Sequence, residues 1–230
     1  MTTGTTTIAS VNATGTVASG GSSGGTEVTT PTKTPVTTPT TPVTETAALT
    51  AYGPTISDNG QIVAFESNAT NLVPGDTNGV IDAFVHDMGT GTTTRVSVTA
   101  TGGQAVPSPL PVGVTPTTPL VGGAAPQISG DGSAVAFESE APLTSTDANG
   151  LMDVYTYTMG TGAIERISVP APGGTTASGT RTEGHTATTV AQVNGADPSI
   201  GIDGRYVSFT SNGNLAADRP LTTEAGHRPP

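Results

Sequence analysis

The sequence predicts an all-β chain built from repeated antiparallel units, and three observations carry this prediction. Segments that open at Pro54, Pro126 and Pro198 share a Pro-x-Ile pattern and follow one another at a constant step of 72 residues. Apolar residues come in short runs bounded by Gly, Asn and Asp, which is typical of strands joined by turns. No apolar stripe of period 3.6 is sustained, and β-branched residues dominate, so helices are not expected.

Each complete repeat is predicted to contain four strands, which fall at 54–57, 61–67, 80–86 and 92–98 in the first repeat. Asp58-Asn59-Gly60 joins the first two strands, because Asn-Gly is a strong hairpin signal. A second turn at 87–91 joins the last two. Four short antiparallel strands joined in this way describe one blade of a β-propeller. We therefore predict a partial β-propeller of four-stranded antiparallel blades with long Thr/Pro/Gly-rich loops.

The repeat boundaries divide the chain into eight segments. These are 1–11, the last strand of an incomplete blade; 12–53, a Thr/Gly/Pro-rich linker or insertion; 54–98 and 126–169, two blades; 99–125 and 170–197, two loop insertions; 198–211, the opening hairpin of a truncated blade; and 212–230, an irregular tail. The first segment is placed by its alignment with residues 88–98. Two complete blades cannot close a ring, so we expect a fragment of a longer protein that self-associates through open blade edges.

The repeated motif itself resembles a known family. The pattern PxISxDGxxVAFxS, followed by a DxNGxxD loop, a TG turn and an RVSV strand, is similar to the TolB-like (WD-like) class of bacterial β-propeller repeats. The resemblance covers 54–98, 126–169, 198–211 and the first eleven residues. It implies the propeller fold, and such repeats serve as binding platforms, as accessory domains of peptidases and as surface modules.

Composition and charge limit the classes of partner that the chain is expected to bind. Eighteen acidic residues against seven basic ones give a formal net charge of −11, which disfavours a nucleic-acid partner because phosphate binding needs basic clusters. The chain has no cysteine, and no apolar run approaches the roughly 20 residues of a membrane span. The acidic, Thr/Pro-rich character favours an extracytoplasmic bacterial protein, whether periplasmic, secreted or on the cell surface.

The repeated DxNGxxD loop is the candidate metal site. Its six oxygen-bearing residues are Asp76, Asn78 and Asp82 in the first repeat and Asp147, Asn149 and Asp153 in the second. Alternating oxygen ligands around a glycine resemble the core of a calcium loop, but the positions two residues before the first Asp are Pro74 and Ser145. The favoured interpretation is a turn capped by the Asn and Asp side chains, with a structural calcium as the alternative and no other cofactor expected.

Two further repeated positions carry charge. Glu66 and Glu138 fall at the same place in the second strand, and we interpret them as solvated strand residues rather than as a catalytic carboxylate pair. Arg95 and Arg166 recur in the fourth strand, where pairing with an acidic neighbour or solvent exposure is expected rather than anion recognition.

No catalytic constellation emerges, so we predict that the chain is not an enzyme. The loop between the second and third strands and the insertion after the fourth strand are predicted to emerge on the same face, because the strands alternate in direction. We expect this face to bind a protein or glycan. The alternatives are an accessory propeller of a larger hydrolase or peptidase, and a calcium-stabilised structural surface repeat.

Overall fold

The computed structural model describes residues 9–12, 14–16, 53–107, 121–170, 196–211 and 215. The ten strands in these ranges are β1 (Thr55–Ile56), β2 (Ile62–Ser67), β3 (Asp82–Asp87), β4 (Thr92–Arg95), β5 (Ala124–Ile128), β6 (Ala134–Ser139), β7 (Asp153–Thr158), β8 (Ala163–Arg166), β9 (Ala196–Ile200) and β10 (Val207–Thr210). The predicted fold class is confirmed. β5 and β9 each begin two residues before the proline that was predicted to open the repeat. The predicted segments 12–53, 170–197 and 212–230 lie mostly outside the described residues, as do residues 1–8 and residues 108–120 of the predicted insertion 99–125.

The strands form two four-stranded antiparallel sheets and one hairpin. We call β1-β2-β3-β4 blade 1, β5-β6-β7-β8 blade 2, and β9-β10 hairpin 3. Within each blade the strands are hydrogen-bonded in chain order, as predicted. The turns that join β1 to β2, β5 to β6 and β9 to β10 each contain a glycine with positive φ, for example Gly60 at 70°. A hairpin turn of this kind requires a residue in the left-handed conformation.

Consecutive blades pack a face of small side chains against a face of large ones. Ala64, Ala83 and Val85 of blade 1 contact Phe137 and Tyr155 of blade 2 in one buried cluster. The rings of Phe137 and Tyr155 face each other across the β6–β7 register with centroids 6.1 Å apart. Alternation along each strand therefore places alanines on one face and aromatic rings on the other.

The main core lies between the blades rather than inside one of them. Ile128 on the inner strand of blade 2 is 8% exposed because blade 1 covers it, whereas its repeat equivalent Ile56 is 59% exposed. Hydrogen bonds reinforce this interface, since the Thr55 hydroxyl donates to the Pro126 carbonyl and accepts from the Ile128 amide, both at 3.1 Å.

In the described part of the chain, no helix has the length and hydrophobicity that crossing a bilayer requires.

The N-terminal residues repeat a turn that follows β4. Asn12 N–H donates to the Thr16 carbonyl at 2.9 Å, as Thr99 N–H donates to the Gly103 carbonyl at 2.9 Å. Both turns contain a glycine with positive φ, 77° at Gly15 and 81° at Gly102. The sequence alignment of the two segments is thus matched by the same local hydrogen bonding.

Candidate functional site

The candidate site is the end of the blades where the loops after β2 and β6 meet the segment after β4, and we call it the loop face. The Gln104 side chain accepts from the Thr77 amide at 2.9 Å, which joins the segment after β4 to the loop after β2. The Ala100 amide donates to the Leu143 carbonyl at 2.9 Å, which joins the same segment to the loop of blade 2. The structure thus brings these loops together on one face, as the strand directions predict.

Each DxNGxxD loop forms a turn capped by its asparagine. Asn78 Oδ1 accepts from the Val80 amide at 3.4 Å, and Asn149 Oδ1 accepts from the Leu151 amide at 3.0 Å. The glycine that follows each asparagine has a positive φ, which allows the chain to reverse at that point. The two loops therefore share one backbone conformation.

An arginine lies between the two aspartates of each loop. Arg95 Nη1 is 3.2 Å from Asp76 Oδ1 and 3.6 Å from Asp82 Oδ2. In blade 2, Arg166 Nη1 is 3.3 Å from Asp147 Oδ1 and 3.6 Å from Asp153 Oδ2. Of the two alternatives expected for these arginines, pairing with acidic neighbours is the one observed, and solvent exposure is not. Each guanidinium supplies positive charge between two carboxylates that would otherwise repel each other.

A serine two residues after each arginine completes the cluster, and it is not among the site residues predicted from the sequence. Ser97 Oγ donates to Asp82 Oδ1 at 2.6 Å and accepts from the Ala83 amide at 3.1 Å. Ser168 does the same with Asp153 and Val154, at 2.5 and 3.0 Å. The signal that could have found this serine is its recurrence two residues after the arginine in both blades.

Burial dominates the electrostatics of these clusters. It raises the pKa of Asp82 to about 6, although hydrogen bonds from Ser97 and Asn78 and the charge of Arg95 lower it. Burial likewise raises the pKa of Asp147. Loss of the arginine would leave two buried carboxylates beside each other, which is among the most destabilising single changes a fold can suffer.

Blade 2 differs from blade 1 at the aromatic position. Tyr155 replaces Phe84, and its hydroxyl donates to Asp147 Oδ2 and, at 3.3 Å, to the Ala141 carbonyl. Burial, with Asp147 beside it, raises the pKa of Tyr155, so the hydroxyl stays protonated and remains a donor. Asp147 is thus fixed by a tyrosine as well as by an arginine.

The structure places all six predicted ligand residues in these two clusters. Asp76 and Asp82 face Arg95, and Asn78 Nδ2 donates to Asp82 Oδ2 at 2.8 Å. Within the described ranges, no three His, Asp or Glu side chains are grouped so that they could hold a metal ion. The structural calcium stays the alternative to a capped turn.

Glu66 and Glu138 were interpreted as solvated strand residues, and this interpretation is wrong. Glu66 is 4% exposed and Glu138 is 7% exposed, because the neighbouring unit covers the face on which they lie. Glu66 Oε2 accepts from the Ala125 amide at 2.9 Å, and Glu138 Oε2 accepts from the Asp197 amide at 3.2 Å. Each glutamate thus binds the backbone of the next unit, 59 residues further along the chain.

These glutamates hold a special backbone conformation. Ala125 and Asp197, which donate to them, have φ values of 49° and 53°. A left-handed φ is costly for a residue with a Cβ, so the hydrogen bond that each amide donates to its glutamate stabilises the start of β5 and of β9. Burial raises the pKa of Glu138 to about 7, the Asp197 amide lowers it, and nearby acidic groups raise it further. We call this contact the glutamate latch.

The structure of this chain is similar to several solved structures. The chain is similar to TolB from Acinetobacter baumannii, with 16% identity over 68% of this chain and 25% of that one and a TM-score of 0.35. It is similar to the β-propeller domain of the Trilobed protease from Pyrococcus furiosus, with 10% identity, 69% and 33% coverage and a TM-score of 0.35. It is also similar to a structure assigned as TolB from Agrobacterium tumefaciens, with 15% identity, 68% and 36% coverage and a TM-score of 0.34.

No family model and no curated protein matches the chain. The chain spans between a quarter and just over a third of the length of the solved structures it matches. The propeller-type architecture rests on its own blades, which have four antiparallel strands in chain order and stack face to face. The repeats resemble TolB-like propeller blades in sequence pattern, and two of these three structures are named TolB.

Proposed function

We propose that this chain is a non-enzymatic β-propeller module that acts outside the cytoplasm of a bacterial cell and presents its loop face to a protein partner. One observation carries the proposal: the loops of both blades and the segment after β4 are tied by hydrogen bonds into one surface. A surface that is ordered before binding loses little conformational freedom when a partner docks. Binding residues also tend to lie on loops held by a rigid scaffold.

The polar groups that catalysis would use are engaged in holding the fold. Glu66 and Glu138 accept backbone amides of the next unit. His86 is buried, its Nδ1 lies 2.9 Å from the Thr93 hydroxyl, and burial lowers its pKa. Each of these side chains has a structural partner, which supports a scaffold role over a catalytic one.

The chemistry of the exposed residues suits a protein partner. Val106 on the segment after β4 is 65% exposed, next to the fully buried Ala105. An exposed aliphatic side chain on a fixed backbone offers a contact that a folded protein surface can cover. The net charge of −11 and the Thr/Pro-rich composition suit a secreted or surface protein.

Photo-crosslinking tests the proposal. A photoreactive phenylalanine analogue is placed at Val106 or Ala148 on the loop face, and at Thr90 or Thr161 in the exposed turns at the other end of the blades. In the source bacterium, a discrete protein adduct is expected from the loop-face positions only. Equal adducts from both ends, or adducts from the turns alone, would contradict the proposal. Protease added to intact cells and to spheroplasts separately tests whether the chain lies outside the cytoplasm.

A further inference from the structure

Hairpin 3 has a carboxylate at a strained position where the two blades have none. The residue before the opening proline is Gly53 in blade 1, Ala125 in blade 2 and Asp197 in hairpin 3, and Asp197-Pro198 is the one Asp-Pro bond in the sequence. Asp197 has a φ of 53°, which is costly for a residue with a Cβ. A residue before proline is also restricted by the proline ring. The backbone is therefore strained directly beside the bond between Asp197 and Pro198.

Two contacts from neighbouring strands hold Asp197 in this conformation. Its amide donates to Glu138 Oε2 on β6 at 3.2 Å, which fixes the backbone. Its Oδ2 accepts from the Thr210 hydroxyl on β10 at 3.3 Å, which orients the carboxyl group. Asp197 is exposed, whereas Pro198 is buried. The carboxyl group is thus held next to its own peptide bond at a position that water reaches.

An aspartate that precedes a proline can cleave the chain with water as the only reagent. One carboxyl oxygen attacks the carbonyl carbon of the same residue and closes a five-membered anhydride ring. The bond from that carbon to the proline nitrogen breaks, and the nitrogen keeps the electron pair and takes the proton of the carboxyl group. Water then opens the anhydride, which leaves two carboxyl groups on the new C-terminal residue. The reacting groups belong to one residue, so no encounter between separate molecules is needed before the bond breaks.

We propose that the chain cleaves itself between Asp197 and Pro198 and that the fold promotes this reaction. Breaking the bond separates Asp197 from the proline ring and lets its backbone leave the left-handed conformation, so the product is less strained than the intact chain. Backbone strain of this kind occurs at sites where it is part of the mechanism. The reaction yields residues 1–197 and residues 198–230, and the second piece contains most of β9 and all of β10.

Blade 2 has the same strained start without the reacting group. Ala125 has a φ of 49°, and its amide donates to Glu66 Oε2 at 2.9 Å. The glutamate latch and the left-handed backbone are therefore present in both units. Ala125 has no carboxyl group that could attack the bond to Pro126, so cleavage is expected in hairpin 3 and not in blade 2.

Mass spectrometry of the intact purified chain tests the proposal. During incubation at mildly acidic pH, the masses of residues 1–197 and 198–230 should appear at a rate that does not depend on protein concentration. In guanidinium chloride the same bond should be cleaved about 10-fold more slowly, because unfolding removes the left-handed strain and a difference of that size corresponds to about tenfold in rate. An Asp-Pro bond that the fold does not promote would be cleaved at least as fast in the unfolded chain.

Substitutions separate the reacting group from the residue that positions it. Asp197→Glu keeps the charge but has to close a six-membered ring, so its cleavage should be at least about 10-fold slower. Glu138→Ala removes the acceptor of the Asp197 amide and should slow cleavage, whereas Glu138→Gln keeps an acceptor oxygen and should restore most of the lost rate. Matching circular dichroism spectra and unfolding midpoints would show which variants keep the fold.

The proposal is overturned if the folded chain is not cleaved at this bond or if the unfolded chain is cleaved as fast. It is also overturned if Asp197→Glu is cleaved at the wild-type rate, or if folded Glu138→Ala is cleaved as fast as Glu138→Gln. None of these results changes the adducts expected from Val106 in the crosslinking experiment. Failure of this inference is therefore distinguishable from failure of the proposed function.

Discussion

Replacing Glu138 by glutamine should make the chain more stable at neutral and alkaline pH and leave it nearly unchanged in acid. Glutamine keeps an oxygen that can accept from the Asp197 amide, which Glu138 binds at 3.2 Å. It removes only the ionisable proton. The substitution therefore removes the free-energy cost of the buried charge and keeps the hydrogen bond of the glutamate latch.

The magnitude follows from the pKa. Burial, with Asp197, Glu66 and Glu140 nearby, raises the pKa of Glu138 from 4.5 to about 7. The folded chain thus binds this proton more tightly than the unfolded chain does. The contribution of this proton to the free energy of unfolding is complete below pH 4.5 and is lost as the pH rises through 7. At about 1.4 kcal/mol per pH unit, the loss amounts to about 3 kcal/mol.

Urea unfolding followed by circular dichroism between pH 4.5 and 8.5 measures this effect. The difference in unfolding free energy between variant and wild type should be near zero at pH 4.5 and should approach about 3 kcal/mol in favour of the variant at pH 8. Other buried carboxyls, such as Asp82 and Asp147, titrate in both proteins and cancel in the difference. Glu165→Gln, on an exposed position of β8, controls for the loss of one formal charge. A difference that stays constant with pH would refute the reasoning.

Three further outcomes are expected. Gly123→Ala should lower the unfolding free energy by about 1–3 kcal/mol in urea titration, because its Cβ would lie 2.5 Å from Ser97 Cβ, whereas Gly160→Ala, which meets nothing within 4 Å, should be neutral. Calcium at millimolar concentration should give the same melting temperature as a chelator, and a rise that Asp82→Ala removes would favour the calcium hypothesis instead. Light scattering should show a mass that grows with concentration and falls in Ile56→Lys, since Ile56 is 59% exposed; a strictly monomeric wild type would contradict this.

The strands and turns could be predicted because their determinants are local and repeated. Asn59-Gly60 sets one hairpin by the conformations that these two residues allow. The alternation of small and aromatic residues in Val63–Ser67 gives the strand period. Each signal recurs at a step of 72 residues, so an accidental match in one repeat would not survive comparison with the next.

The glutamate latch could not be predicted in the same way. Alternation along β2 shows that Glu66 lies on the face of Ala64, but it does not show whether another blade covers that face. Burial of a carboxylate also contradicts the ordinary preference of charged residues for water. The clue that existed was recurrence, since Glu66 and Glu138 are identical in both complete repeats while Thr210 replaces them in the third.

The pairing of Arg95 with acidic neighbours could be expected from the sequence. The hydrogen bond from Arg95 Nη1 to Gln104 Oε1, at 3.2 Å, could not. Gln104 belongs to the segment after β4, where the second repeat has Thr175 after the same Gly-Gly pair. Its contacts with Thr77 and Asn78 span 27 and 26 residues and depend on where the segment turns back over the loop. A pattern of spacing within one repeat carries no information about such a return.

Recognition by this chain should arise where equivalent positions of the two blades differ, because a feature shared by all blades is explained by stacking alone. In blade 1 the Asn78 amide group is divided between Asp82 and the Ala105 carbonyl. In blade 2 the Tyr155 hydroxyl stabilises Asp147 instead, and the amide group of Asn149 is left without an acceptor. The change from phenylalanine to tyrosine thus gives Asp147 a hydrogen-bond donor that Phe84 cannot give to Asp76.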